Sequence, residues 1–177
     1  MTDEHSHSEP AYLISAAIVR RGEEVLLVRE QSTSDEPAFW ALPAGRNEPG
    51  ELLPDSLIHA AREDTGLEIT DIQRLAYVTQ LDEQENGFLA LAFVFEVERW
   101  DGELHAPDPD NEIPEARFMP ISEAIQALND LPYRFVREPC VAYLEGRTPP
   151  GAMWFYRREA GAAEKLVARL TDVRYPQ

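Results

Sequence analysis

Residues 45–67 constrain this chain more than any other stretch: a glycine- and proline-punctuated acidic loop runs directly into an amphipathic helix. Pro43, Gly45, Pro49 and Gly50 interrupt any regular element ahead of the helix, and Pro54 and Asp55 suit its first turn. Gly66 is placed to end it, as the residue just past the C-cap. The pattern predicts roughly three turns with a sharp entry and exit. At about 100° per residue, Glu63 and Asp64 share one side with Ala60 and Ser56, while Leu57, Ala61 and Ile58 face elsewhere. Glu51 precedes the helix and Glu48 lies in the loop, so both can fold back toward the same region. Carboxylates that close repel one another unless something positive sits between them. A hard divalent cation relieves that repulsion, and Mg²⁺ binds through a few carboxylates together with substrate phosphates. The same acids would also suit a plain solvated helix face.

A family resemblance decides between these readings. The stretch resembles the signature of the Nudix hydrolases: Gly, five residues, Glu, seven residues, Arg-Glu, an apolar residue, any residue, Glu-Glu, any residue, Gly, and an apolar residue. Gly45, Glu51, Glu63, Asp64 in place of Glu, Gly66 and Leu67 fall on that pattern; Ala61 fills the apolar slot, and Trp40, Ala41, Leu42 and Pro43 resemble its usual lead-in. Two positions depart from it: His59 stands for the Arg and Ala60 for the Glu that follows. The resemblance implies an α+β Nudix fold, with a mixed β-sheet sandwiched between α-helices, over residues 11–146. It also implies that Glu51, Glu63 and Asp64 bind Mg²⁺, with Mn²⁺ as an alternative.

A length of 177 residues fits one domain with a sizeable core, and 44% hydrophobic content is ordinary for a globular chain. The net charge of −17 argues against stable binding to nucleic acid or an anionic membrane, because it opposes the phosphate-contact term, but it leaves a metal-bridged nucleotide open. Cys140 has no second cysteine to pair with, and no apolar run approaches a membrane span, so cytoplasm is the expected compartment. A homodimer remains open.

Residues 1–10 are polar, include His5 and His7, and are expected to be a disordered lead. Residues 11–20 and 24–29 read as a β-hairpin turning at Arg21, Gly22 and Glu23, followed by a short buried strand at 39–42. Residues 72–80 and 88–97 read as a second hairpin with Asn86 and Gly87 in its turn. Beyond a Pro- and Asp-rich loop, 116–119 suits a strand and 121–128 a helix. A further helix is expected over 138–144, with Pro139 in its first turn; one spanning 135–144 would be kinked there. Residues 147–177 form a C-terminal extension that composition predicts to be helical over 160–170, packed on the domain or on a partner subunit.

A diphosphate linkage is anionic and resists water, so its hydrolysis needs cations to neutralise oxygens and a base to activate the nucleophile. Glu51, Glu63 and Asp64 answer the first need, with Glu63 also assigned to catalysis. For the second, the family's frequent base maps to Ala60, which has no ionisable atom. Members of the family often draw a further acid from a loop facing the helix, which makes Glu112 the first candidate, followed by Glu85 and Glu83. His59, if protonated, can bond Glu51, with Arg62 as the alternative cation. Arg29 and Arg46 flank the expected cleft and suit phosphate oxygens. The expected activity is Mg²⁺-dependent hydrolysis of a diphosphate bond in a nucleoside diphosphate linked to another moiety. The alternative is a catalytically weakened Nudix-fold protein that binds nucleotides or regulates.

Overall fold

A computed structural model describes residues 11–31, 37–105 and 115–171. His5, His7 and Glu112 lie outside these residues.

The first strand, β1 (Ala11–Ile18), serves the central sheet rather than a local hairpin. It runs parallel to β7 (Phe88–Asp101) along its whole length and antiparallel to β5 (Ala44–Arg46). Only β2 (Arg20–Arg21) turns back on β3 (Glu24–Glu30), so the expected first hairpin is reduced to two residue pairs. The reason is burial. Ala16, Ala17, Ile18 and Val19 are all buried, and a two-stranded ribbon cannot cover both faces of such a run. The chain therefore leaves the second sheet after one turn. In that sheet β3 also pairs with β4 (Phe39–Ala41) and β8 (Glu115–Pro120).

The second hairpin is longer than its apolar pattern indicates. β6 (Glu68–Glu83) pairs with β7 over nearly its full length and absorbs residues 68–71, which polarity marks as a connection. Helix α1 (Leu53–Thr65) covers one face, where Leu57 and Ala61 pack with Ala17, Leu26 and Phe118. Helices α2 (Ile121–Leu128) and α3 (Arg134–Leu144) cover the other, where Leu128, Cys140 and Leu144 pack on Ile18, Leu27 and Tyr77. This is the expected α+β arrangement, a mixed sheet between helices.

Helix α3 begins before Pro139, which sits in its interior rather than in its first turn. Proline donates no hydrogen bond and leaves the carbonyl four residues earlier without its helical partner. That carbonyl belongs to Phe135, and the buried Thr79 hydroxyl donates to it at 2.9 Å from β6. The sheet thus supplies the bond that the helix lacks.

The C-terminal extension overturns the helical expectation. β9 (Ala152–Arg158) lies parallel to β6, and β10 (Lys165–Leu170) pairs with β9, giving the sheet order β10-β9-β6-β7-β1-β5. The period-two burial of Ala152, Trp154 and Tyr156 drives this placement, and pairing with the sheet outweighs the helix propensity of 160–170. Among the described residues no helix is long and apolar enough to cross a membrane.

Candidate active site

Helix α1 enters through Leu52 in an extended conformation, with proline in its first turn, and ends at Gly66. Gly66 has φ +83°, and its N–H donates to Arg62 O. It also packs so closely on His105 that a Cβ would lie 2.2 Å from the ring. Glycine is therefore required twice over, by backbone conformation and by space. At the other end of the motif, a Cβ on Gly45 would meet Ala60 Cβ at 2.7 Å, so this glycine seats the loop directly on the helix.

Glu63 and Asp64 do not share a face. Adjacent helical residues are about 100° apart, and the two carboxylates part accordingly. The Glu63 side chain is 67% exposed and meets His59 Nε2 at 3.1 Å, one turn earlier. His59 Nδ1 lies 3.9 Å from Glu51, whose other oxygen accepts the Glu48 backbone N–H at 3.1 Å. His59 thus stands between Glu51 and Glu63, and its charge depends on protonation. Arg62 instead pairs with Glu68 at 3.6 Å, away from these acids.

Asp64 turns inward. Its Oδ2 is buried and has no hydrogen-bond partner among the described residues. Burial raises its pKa to about 7, helped by the nearby charges of Glu30 and Glu63 and opposed by a hydrogen bond from the Ala44 backbone. Glu30, at the end of β3, is likewise raised by burial. Sequence reasoning passed over Glu30 because it lies outside the motif, at the end of a strand. The alternation of β3 was the available signal: Glu30 shares the face of Leu26, which packs against α1.

Glu30 lines a cavity of about 480 Å³ between the central sheet, the β4–β5 connection and the start of α3. Its walls are mostly apolar. Two aromatic pairs border it, Tyr12 with Phe88 (centroids 5.2 Å apart) and Phe39 with Tyr133 (5.9 Å). Arg46 lines it too, its guanidinium 4.1 Å over the Tyr12 ring. Arg29 is exposed on the alternate face of β3 and does not line the cavity.

The acids of the β6–β7 turn are placed differently. Glu83 is fully buried and accepts from the backbone N–H groups of Glu85 (2.9 Å) and Asn86 (3.1 Å) and from the Asn86 side chain (2.6 Å). Burial alone would raise its pKa, but the Arg158 guanidinium and these donors outweigh burial and hold it at about 2. Glu83 is a turn cap. Glu85 is exposed on that turn and does not line the cavity.

Among the described residues, no three Asp, Glu, His or Cys side chains converge closely enough to enclose a metal as they stand. The donor chemistry nonetheless fits a hard cation. A buried carboxylate oxygen without a partner lies one residue from a second carboxylate, and His59 stands between that second carboxylate and a third.

The motif, the fold and this helix define the class. The NUDIX domain family matches residues 11–139, and the chain belongs to it. The chain is 31% identical over 110 residues to the 8-oxo-dGDP phosphatase NUDT18 of Mus musculus, a match covering 62% of this chain but only 32% of that protein's length. It is 28% identical over 93 residues to the CTP pyrophosphohydrolase of Escherichia coli, covering 52% of this chain and 67% of that one. Among solved structures it is similar to a MutT protein from Bacillus halodurans, with a TM-score of 0.65 and 14% identity, over 93% of this chain and 99% of the other. It is also similar to the E. coli ORF135 protein, with a TM-score of 0.60 and 25% identity, over 77% and 93%.

Proposed function

We propose that this protein is a Mg²⁺-dependent hydrolase that cleaves a diphosphate bond in a nucleotide-type substrate, with Asp64, Glu63 and Glu51 holding the cation. The buried, unpartnered Asp64 Oδ2, beside a cavity bordered by aromatic pairs, is the observation that carries this reading. Bound Mg²⁺ would neutralise the phosphate oxygens and polarise the phosphorus for attack. Asp64 would hold the cation through its buried oxygen, and Glu51 and Glu63 would join it on leaving His59. Arg46, in the cavity wall, offers a planar fork to phosphate. The aromatic pairs supply faces against which a base can stack.

Ala60 carries no ionisable atom, so the proton of the attacking water passes to a carboxylate outside the helix. Glu30, in the cavity wall beside Asp64, and Glu112, in the segment after β7, are the two candidates. Ala60 also favours a second reading, a nucleotide-binding Nudix domain with weakened catalysis, because a buried methyl packed on Gly45 occupies the position of the family's acid.

A panel of nucleoside di- and triphosphates, nucleotide sugars and dinucleotide polyphosphates, headed by 8-oxo-dGDP and CTP, separates the two readings. With Mg²⁺ or Mn²⁺, the wild type should release phosphate or a nucleoside monophosphate, and Asp64→Asn should not. Saturable binding without turnover across the panel supports the second reading. Equal turnover in the variant removes Asp64 from the metal set.

A further inference from the structure

Helix α3 has no capping side chain of its own. The residue before it, Tyr133, is extended and places no side-chain acceptor on the first turn. The start of a helix leaves N–H groups without intrahelical partners, and a buried one must find an acceptor elsewhere. The Val136 N–H finds Tyr133 O at 3.1 Å. The Phe135 N–H donates instead to Glu164 Oε2 at 2.8 Å, in the connection between β9 and β10. That connection lies beyond the family match, which ends at residue 139.

Glu164 is itself held in place. Its side chain is 7% exposed, its other oxygen lies 3.8 Å from Arg158 Nη1, and its backbone carbonyl accepts from Arg134 Nη1 at 3.3 Å. Arg134 is the first residue of α3, so the hairpin grips the helix start through side chain and backbone together. A carboxylate at a helix N-terminus also meets the positive end of the helix dipole. From the other side, the Thr79 hydroxyl on β6 donates to the Phe135 carbonyl. Both backbone groups of Phe135 are thus pinned by side chains of other elements. Tyr133, Phe135 and Val136 line the cavity here, and Tyr133 packs edge-on against Phe39, 5.9 Å between ring centroids.

We propose that Glu164 is a positioning residue for substrate binding: from the C-terminal hairpin it caps α3 and so fixes the cavity wall formed by Tyr133, Phe135 and Val136. Its effect on turnover rests on the nucleotide-hydrolase reading above; the cap itself does not. Without the carboxylate, the buried Phe135 N–H loses its acceptor, and the first turn of α3 opens to hydrate it. The cavity wall then loses its shape. Helix α1, with Glu63 and Asp64, packs on the other face of the sheet and keeps its place. Loss of Glu164 therefore weakens substrate binding and spares the chemical step.

Two measurements on Glu164→Ala test this. Hydrogen–deuterium exchange should rise about tenfold over the first turn of α3, the size expected for a lost cap, and stay unchanged in α1. Steady-state hydrolysis of the common nucleoside di- and triphosphates with Mg²⁺ should show KM raised about fivefold or more and kcat within about twofold. Glu164→Gln keeps an oxygen for the Phe135 N–H and should hold both readouts within about twofold of the wild type. Arg157→Ala breaks the exposed Arg157–Asp82 pair of the same hairpin without touching α3, and should leave both unchanged. Unchanged exchange in the first turn of α3 overturns the proposal, as does an unchanged KM. A raised KM without raised exchange overturns it too, since Glu164 would then meet the substrate itself. So does a Gln variant as impaired as Ala, which would put the effect in the charge beside Arg158. If the wild type hydrolyses none of these nucleotides, the hydrolase reading falls, while raised exchange in Glu164→Ala still upholds the cap on the cavity wall.

Discussion

Two carboxylates that contact residues of the cavity wall have opposite character. On α1, Asp64 has an oxygen without a partner and a pKa raised to about 7. At the end of β6, Glu83 is more deeply buried, yet its pKa falls to about 2, because a guanidinium, an amide and two backbone N–H groups surround it. Burial alone does not mark a functional acid. What distinguishes Asp64 is burial without compensation, which leaves the protein one positive charge short at a defined point. Glu83 has every need met by its own chain and serves the turn.

Four experiments press on this contrast. The largest effect is expected at Asp64. Asp64→Asn should lower turnover by at least about a hundredfold, since it removes a ligand from the charge-neutralising cation. It should also abolish any rise in Tm that Mg²⁺ gives the wild type; a retained Mg²⁺ shift would place the cation elsewhere. Next is Glu30→Gln. If Glu30 takes the proton, turnover should fall at least about tenfold with little change in KM. An unchanged rate, beside a loss in Glu112→Gln, would assign that role to Glu112.

A smaller effect belongs to the cavity wall. Thr79→Val should destabilise the fold by about 1 kcal/mol, because the Phe135 carbonyl loses its donor while Pro139 still denies it a helical one. Adding Pro139→Ala restores an amide to the helix, so the double variant should recover part of the loss in chemical denaturation. Strict additivity would mean that the hydroxyl and the proline act independently.

The last experiment tests Glu83 as a structural acid. Its pKa is depressed on folding from 4.5 to about 2, so its stabilisation is complete above about pH 4.5 and is lost as pH falls through about 2. Between those limits the wild type should lose stability toward that of Glu83→Gln, whose own curve lacks this step. Parallel curves would show that Glu83 has no special tie to Arg158 and the turn.

Much of the molecule can be read from local pattern. The loop and helix of 45–67 carry their own instructions: prolines at the entry, Gly66 at an exit where φ is +83°, and apolar Leu57 and Ala61 one turn apart. The long hairpin is equally legible from alternation and from Asn86 and Gly87, although its ends run further than the apolar residues indicate. Residues 160–170 mislead, because their composition favours helix while the open edge of β9 offers backbone partners that composition cannot register.

The candidate site divides in the same way. Spacing along one helix identifies Glu51, Glu63, Asp64 and the glycines, since covalent connection and the helical repeat set their mutual positions. The orientation of each acid depends on what lies across from it: Glu63 meets His59 at the helix surface, while the packing of α1 on the sheet carries Asp64 in toward Glu30. Glu30 is 34 residues before Asp64 in the chain, and Glu83, Arg158 and Glu164 meet from three separate segments. Charge, burial and unmet hydrogen bonds are properties of such meetings. The linear order of residues contains every participant, but the pairing that turns one buried acid into a candidate ligand and another into a turn cap exists once the sheet has closed around them.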